Sequence, residues 1–297
     1  MTELKPFLKW AGGKRQLLDT LEKKLPKEIR KTRKIELYVE PFIGGGAFFF
    51  HLLSNYKVER SIINDINPEL MITYSVIKEW PEELIKALKR IEIEYLSLKE
   101  EEKKEYYYQL RKTFNELNVD FYKLNEKDWV KKASLLIALN KLCFNGLFRQ
   151  NSKGEFNVPM GKYKNPTILD EDNIRKVSAS LHNTKILCGS YRDIKIPKKK
   201  QVFVYLDPPY RPLSKTSSFT KYVREDFDDR DQKELAGYFK ELDKNGFNPL
   251  LSNSDTEDGF FEKLYKGFKI EKVVVKRYIN ANGKKRGDIN ELLISTI

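Results

Sequence analysis

Short apolar runs set off by glycine, proline and polar clusters dominate the two ends of the chain, and a charged block without glycine fills the middle. Ile35–Val39 and Arg60–Asn64 read as buried strands, and Ala47–Leu53 as a helix between them. Residues 69–142 hold a single proline, Pro81, and are rich in Glu, Lys and Leu. That pattern predicts helices with solvated charged faces, and Leu135–Leu139 forms the buried seam. Asn145-Gly146 and Lys153-Gly154 flank alternating residues and predict a β-hairpin within 143–166. The strand pattern then returns at Thr184–Cys188, Val202–Leu206, Phe247–Ser252, Phe268–Val275 and Leu292–Thr296. A helix is expected over Arg230–Lys244, stopped by Asn245-Gly246. Strands alternating with helices argue for an α/β sheet. The helical block reads as an insertion into that sheet, giving one unit of 1–68 and 167–297 and a second of 69–166.

Composition narrows the class. Hydrophobic residues make up 40% of the 297, enough for a substantial core, so wholesale disorder is excluded. No apolar run approaches the roughly 18–20 residues of a membrane span, and the N-terminus lacks a secretory apolar core, so a cytoplasmic protein with no membrane partner is expected. Two cysteines, Cys143 and Cys188, cannot staple a chain of this size. Two histidines, His51 and His182, lie far apart with no metal-ligand spacing, so no metal is expected. The formal net charge of +13 favours a polyanionic partner, nucleic acid above all.

Two local patterns carry the chemistry. Glu40-Pro41-Phe42-Ile43-Gly44-Gly45-Gly46 lies between a strand and a helix, where glycines let backbone approach a ligand closely. Asp65 ends the next strand, where an acid can take ribose hydroxyls. The spacing is not G-x-G-x-x-G, so a nucleoside suits it better than a dinucleotide and a dehydrogenase is disfavoured. Trp10-Ala11-Gly12-Gly13-Lys14 lacks the first glycine and the hydroxyl residue of a phosphate-binding loop. The second pattern is the buried strand Val202–Leu206 running into Asp207-Pro208-Pro209-Tyr210. Prolines stiffen this corner and remove N–H donors, leaving the Asp207 carboxylate and Pro208 carbonyl as acceptors. Two acceptors suit an exocyclic amine: holding both protons directs its lone pair outward toward an electrophilic methyl. Tyr210 supplies a face for a base taken out of the duplex.

These motifs closely resemble the Dam-like DNA adenine-N6 methyltransferases over nearly the whole chain. The resemblance implies a Rossmann-like methyltransferase fold: a mixed seven-stranded sheet carrying an inserted helical and β-hairpin target-recognition region. It implies S-adenosyl-L-methionine as methyl donor, double-stranded DNA as substrate and GATC as the site. Asp207, Pro208 and Tyr210 would act on the base. Trp10, Lys14, Phe42, Gly44, Asp65, Ser190 and Tyr191 would line the cofactor pocket. Lys9, Asn145, Leu147, Arg149, Pro159 and Tyr163 would face DNA, helped by Asn157. Arg149 would read a guanine, and Leu147 and Pro159 a thymine methyl, pairings that groove chemistry also favours. Ser214–Phe219 is similar to a loop that orders on substrate.

One departure stands out. The family's Gly-Asp-aromatic is here Gly189-Ser190-Tyr191, which predicts weaker cofactor binding or a substitute acceptor such as Asp193. The basic segment 272–286, with Arg277 and Lys284-Lys285-Arg286, is a candidate for phosphate contacts. The rival readings are methylation of cytosine N4 or of an RNA amine, and a non-catalytic DNA-binding regulator on the same fold. A monomer is expected, with pairing to a restriction endonuclease left open.

Overall fold

The computed structural model describes residues 3–10, 12–211, 227–276 and 288–296. One sheet is built from β1 (Leu37–Glu40), β2 (Ser61–Asp65), β3 (Thr184–Cys188), β4 (Val202–Leu206), β5 (Pro249–Ser254), β6 (Lys269–Lys276) and β7 (Asp288–Ser295). Their spatial order is β3-β2-β1-β4-β5-β7-β6, with the first five parallel and β7 antiparallel to both neighbours. This is the mixed seven-stranded, Rossmann-like sheet expected from the sequence. Helices α1 (Leu18–Lys23) and α2 (Lys27–Thr32) precede β1, and α3 (Ala47–Asn55) joins β1 to β2. Between β2 and β3 come α4 (Pro68–Glu79), α5 (Pro81–Ser97), α6 (Glu100–Glu116), α7 (Glu126–Leu142) and α8 (Glu171–Ser180). Then α9 (Asp229–Lys244) precedes β5, and α10 (Phe260–Leu264) lies between β5 and β6.

Strand periodicity decides which side chains meet which layer. In β4, Phe203 and Tyr205 enter the core shared with α3–α8, whereas Val202, Val204 and Leu206 enter the opposite core against Leu235, Ala236 and Phe239 of α9. Both faces are therefore covered, which is why β4 reads as an unbroken apolar run. The first core passes without interruption from the sheet into α4–α7, where Leu135, Leu136, Ile137, Ala138 and Leu139 are all buried. Polar caps start α4 and α9: the Asn67 side chain accepts from Leu70 N with Pro68 at the first helical position, and Asp228 accepts from Arg230 N and Asp231 N.

Several boundaries differ from the sequence reading. The run Ile35–Val39 is divided, since Lys34–Ile35 pairs separately with Lys57–Val58. The strand expected from Phe247 begins at Pro249, because Asn248 turns through φ 47°. The segment 143–166 holds no ladder. It makes isolated antiparallel bridges at Cys143–Met160 and Gln150–Phe156, around a turn with Asn145 at φ 58° and Gly146 at φ 64°. Side chains of α6 take some of the backbone groups that the bridges leave unpaired. The Tyr107 hydroxyl donates to the Val158 carbonyl (2.8 Å), and the Asn115 amide brackets Phe156 by accepting from its N–H (2.9 Å) and donating to its carbonyl (3.1 Å). Ser214–Phe219, Arg277 and Lys284-Lys285-Arg286 lie outside the described residues.

Candidate active site

In a doubly wound sheet, ligands bind beyond the carboxyl ends of the strands where the order reverses, here between β1 and β4. Glu40-Pro41-Phe42 leaves β1 and Asp207-Pro208-Pro209-Tyr210 leaves β4 at this edge. Strand pairing alone therefore brings the two sequence motifs side by side.

The Asp207 corner is built around an ion pair. Lys14 Nζ lies 2.9 Å from Asp207 Oδ2 and donates to the Gly12 carbonyl at 2.8 Å. Lys14 is only 5% exposed, so this pair sits in a low-dielectric setting. Asp207 Oδ1 is buried without a hydrogen-bond partner, and the Pro208 carbonyl accepts none from the described residues. Burial pushes the Asp207 carboxyl up to about 6 against the opposing pull of Lys14. The Tyr210 hydroxyl donates to Glu291 Oε2 on β7 (2.8 Å), and its ring lies 4.7 Å from Lys14 Nζ. Behind them, burial drives Glu40 well above the ordinary carboxylate range, while Tyr38 donates to it at 2.6 Å.

A buried amide chain fixes the corner. Gln232 donates to the Pro209 carbonyl (3.1 Å), and Asn253 donates to Gln232 Oε1 (3.1 Å). Arg211 follows at once and grips both oxygens of Asp229 (2.6 and 3.0 Å), Thr256 (3.2 Å) and Asp258. None of Gln232, Asn253, Arg211 or Glu291 stood out in the sequence. The available signal was the polar run Ser252-Asn253-Ser254, which ends β5 and is buried throughout.

The glycine loop folds against Trp10. A Cβ on Gly44 (φ 47°) would lie 2.9 Å from Trp10 Cδ1, and Gly46 (φ 68°) admits the Tyr74 hydroxyl where its own Cβ would be. Trp10 stacks its ring on Phe148, with centroids 5.0 Å apart. Asp65 accepts from Gly44 N (3.1 Å) and Asn67 N (3.0 Å), and burial raises its carboxyl against those amides. Asn64, also missed in the sequence, donates to the carbonyls of Pro41 (3.0 Å) and Gly189 (2.9 Å), tying together the ends of β1, β2 and β3. Phe42 and Tyr191 lie 5.2 Å apart. Ser190 Oγ accepts from Arg192 N (3.3 Å) within its own turn, while Asp193 is exposed.

The expected DNA-facing residues fall into one region. Asn140 of α7 clamps Lys9, accepting from its N–H and donating to its carbonyl (2.9 Å each), and donates to the Gly146 carbonyl (2.9 Å). Lys9 packs its stem on Gly146 and holds Nζ 5.7 Å from the Tyr163 ring. Arg149 is exposed and donates from Nε to Asn157 Oδ1 (2.7 Å). Asn145 and Pro159 are exposed, and Leu147 and Tyr163 are half-buried. Among the described residues, no group of three His, Cys, Asp or Glu side chains could hold a metal ion, and no helix is long and apolar enough to cross a membrane.

The chain is similar to known proteins along nearly its whole length. The chain is 52% identical over 293 residues to the type II methyltransferase M.MjaIII of Methanocaldococcus jannaschii, covering 98% of this chain and 99% of that one. It is 40% identical to the type II methyltransferase M1.LlaDCHI of Lactococcus lactis subsp. cremoris, covering 98% and 95%. It is 36% identical to the DNA adenine methylase of Escherichia coli K12, covering 99% and 95%. The model of the D12 class N6 adenine-specific DNA methyltransferases matches residues 10–279. With the carboxylate corner, the glycine loop and this match in hand, the chain belongs to the D12 class of adenine-specific DNA methyltransferases.

Proposed function

We propose that this enzyme transfers a methyl group from S-adenosyl-L-methionine to N6 of an adenine flipped out of duplex DNA, within GATC. The observation that carries the reading is the orphaned Asp207 Oδ1 beside the Pro208 carbonyl. A buried acceptor without a donor is costly unless a ligand supplies one, and an exocyclic amine supplies two. Asp207 and Pro208 orient the amine, the Tyr210 ring offers the base a stacking face, and Lys14 keeps the Asp207 carboxylate ionised.

The residues fit the proposed donor. Asp65, fixed by two amides yet half-exposed, has lone pairs left for a ribose diol. Phe42 and Tyr191 offer aromatic walls for an adenine, with Gly44 admitting close approach and Trp10 packed behind the glycines. Ser190 lies near this edge as a neutral, shorter acceptor in place of the family's carboxylate. When bound, the donor supplies an electrophilic sulfonium methyl.

Residues 69–166 form the target-recognition region of this proposal. Arg149 reads a guanine of GATC, Lys9 the outer guanine, and Leu147 and Pro159 the thymine methyl. Asn145, Asn157 and Tyr163 position the strand. The names of two relatives support a pairing with a restriction endonuclease. The protein works as a cytoplasmic monomer. The test is to incubate unmethylated plasmid with enzyme and donor, then sequence it with modified-base detection. N6-methyladenine confined to GATC supports the reading. Methylation at another motif overturns the site, and an unmodified plasmid overturns the activity.

A further inference from the structure

The segment between α6 and α7 was not singled out in the sequence, yet it reaches the ligand edge of the sheet. Tyr122 is 78% exposed, and its hydroxyl donates to the carbonyl of Cys188, the last residue of β3. In the sheet register Cys188 is the partner of Asp65, and Gly189 N bonds the Asp65 carbonyl (3.1 Å). A Cβ on Gly189 would lie 3.5 Å from the Tyr122 hydroxyl, so the phenol rests directly on this strand end. The ring is held in place from behind. Phe121 stacks on Trp129 of α7 (centroids 5.8 Å apart, 19° between planes) and meets Tyr122 edge-on at 5.5 Å. Tyr122 N donates to Asp120 Oδ1 (2.9 Å), which closes a local turn.

A large aromatic ring this exposed adds little to the core. Here it stands beside the acid assigned to the ribose, and Ile66, the residue after that acid, is also exposed at 51%. The Ser190 hydroxyl already accepts from Arg192 N and carries no charge, so it offers a nucleobase amine less than the carboxylate expected at this position. A base at this edge therefore gains its affinity from faces more than from side-chain hydrogen bonds, and a stacked aromatic face is worth about a tenfold or larger change in affinity.

We infer that Tyr122 is a cofactor-binding residue: the helical region lends it to the catalytic sheet as the outer wall of the nucleoside pocket, beside Ile66 and Asp65. The inference rests on the donor assignment proposed above. It makes the pocket incomplete without the α6–α7 segment, so the part of the chain that meets DNA also touches the cofactor.

Calorimetric titration of S-adenosyl-L-methionine into the full chain and into Tyr122→Ala and Tyr122→Phe tests it. Tyr122→Ala should weaken binding about tenfold. Tyr122→Phe, which keeps the ring and loses the tether, should fall between that variant and the unsubstituted chain. In Tyr122→Ala the cofactor KM should rise while kcat at saturating cofactor and affinity for a duplex oligonucleotide hold. Unchanged cofactor binding in Tyr122→Ala overturns the inference, as does a fall in kcat or DNA affinity equal to the loss in cofactor binding. No binding by the unsubstituted chain would overturn the donor assignment itself, a result read before any variant is made.

Discussion

Asp207 must do two things that oppose each other: stay buried enough to be a strong acceptor and stay charged. Burial lifts its carboxyl to about 6 and Lys14 restrains that rise. The ionised form is the one that accepts an amine proton while the Pro208 carbonyl takes the other, so activity is present above that value and lost as pH falls through it. A plot of log kcat/KM against pH, which reports the free enzyme, should bend near 6 and drop with unit slope on the acid side. Lys14→Gln removes the restraining charge, so the bend should move to higher pH. A variant whose bend stays put while only the cofactor KM rises would make Lys14 a cofactor ligand alone. Asp207→Ala should cost at least 10²–10³-fold in kcat, the scale on which single preorganised polar groups act, and leave DNA binding nearly intact by gel shift.

At the scale of elements, buried amides decide how the pieces meet. Asn140 sits on the apolar seam of α7, 1% exposed, and spends its side chain on Lys9 and Gly146, so it joins the N-terminal segment to the DNA-facing turn. Asn140→Ala leaves three backbone groups without partners and should cost about 2–3 kcal/mol, read as a lower urea midpoint at unchanged m. The same residue shows the limit of sequence reading. The strands were visible as short apolar runs bounded by turn residues, most clearly in β4, which is covered on both faces. The 143–166 turn was placed correctly but taken for paired strands. Its alternation reflects Phe156 and Val158 buried against the helices; its arms pair only at isolated bridges, and Tyr107 and Asn115 take the Val158 carbonyl and the backbone groups of Phe156. In the site, the Asp207 turn and Asp65 were legible because proline and acid at a strand end have local consequences. Asn64, Asn140, Gln232 and Tyr122 were not, since a lone polar or aromatic residue does not say which distant carbonyl it will meet.

For the whole molecule, the net charge of +13 sets how DNA is found, and the exposed turn bearing Arg149 is assigned the reading of the site. The two roles respond differently to salt. Phosphate contacts release counterions, so log Kobs should fall linearly with log salt, with a slope near −5 if about six phosphates are neutralised. A bidentate contact from Arg149 to guanine O6 and N7 exchanges no condensed counterion. It should therefore set the height of that line for GATC duplexes and leave its slope alone. Arg149→Ala should lower GATC affinity by about 1–3 kcal/mol, relax preference at one base pair and keep the slope. In the free protein Arg149 is already held by Asn157 Oδ1, so its guanidinium is partly preorganised and the loss should fall in the upper part of that range. Fluorescence anisotropy on GATC and substituted duplexes at several salt concentrations separates the outcomes. A uniform loss on every sequence, with the slope reduced by about one, would make Arg149 a phosphate contact and move the reading of that guanine to another side chain.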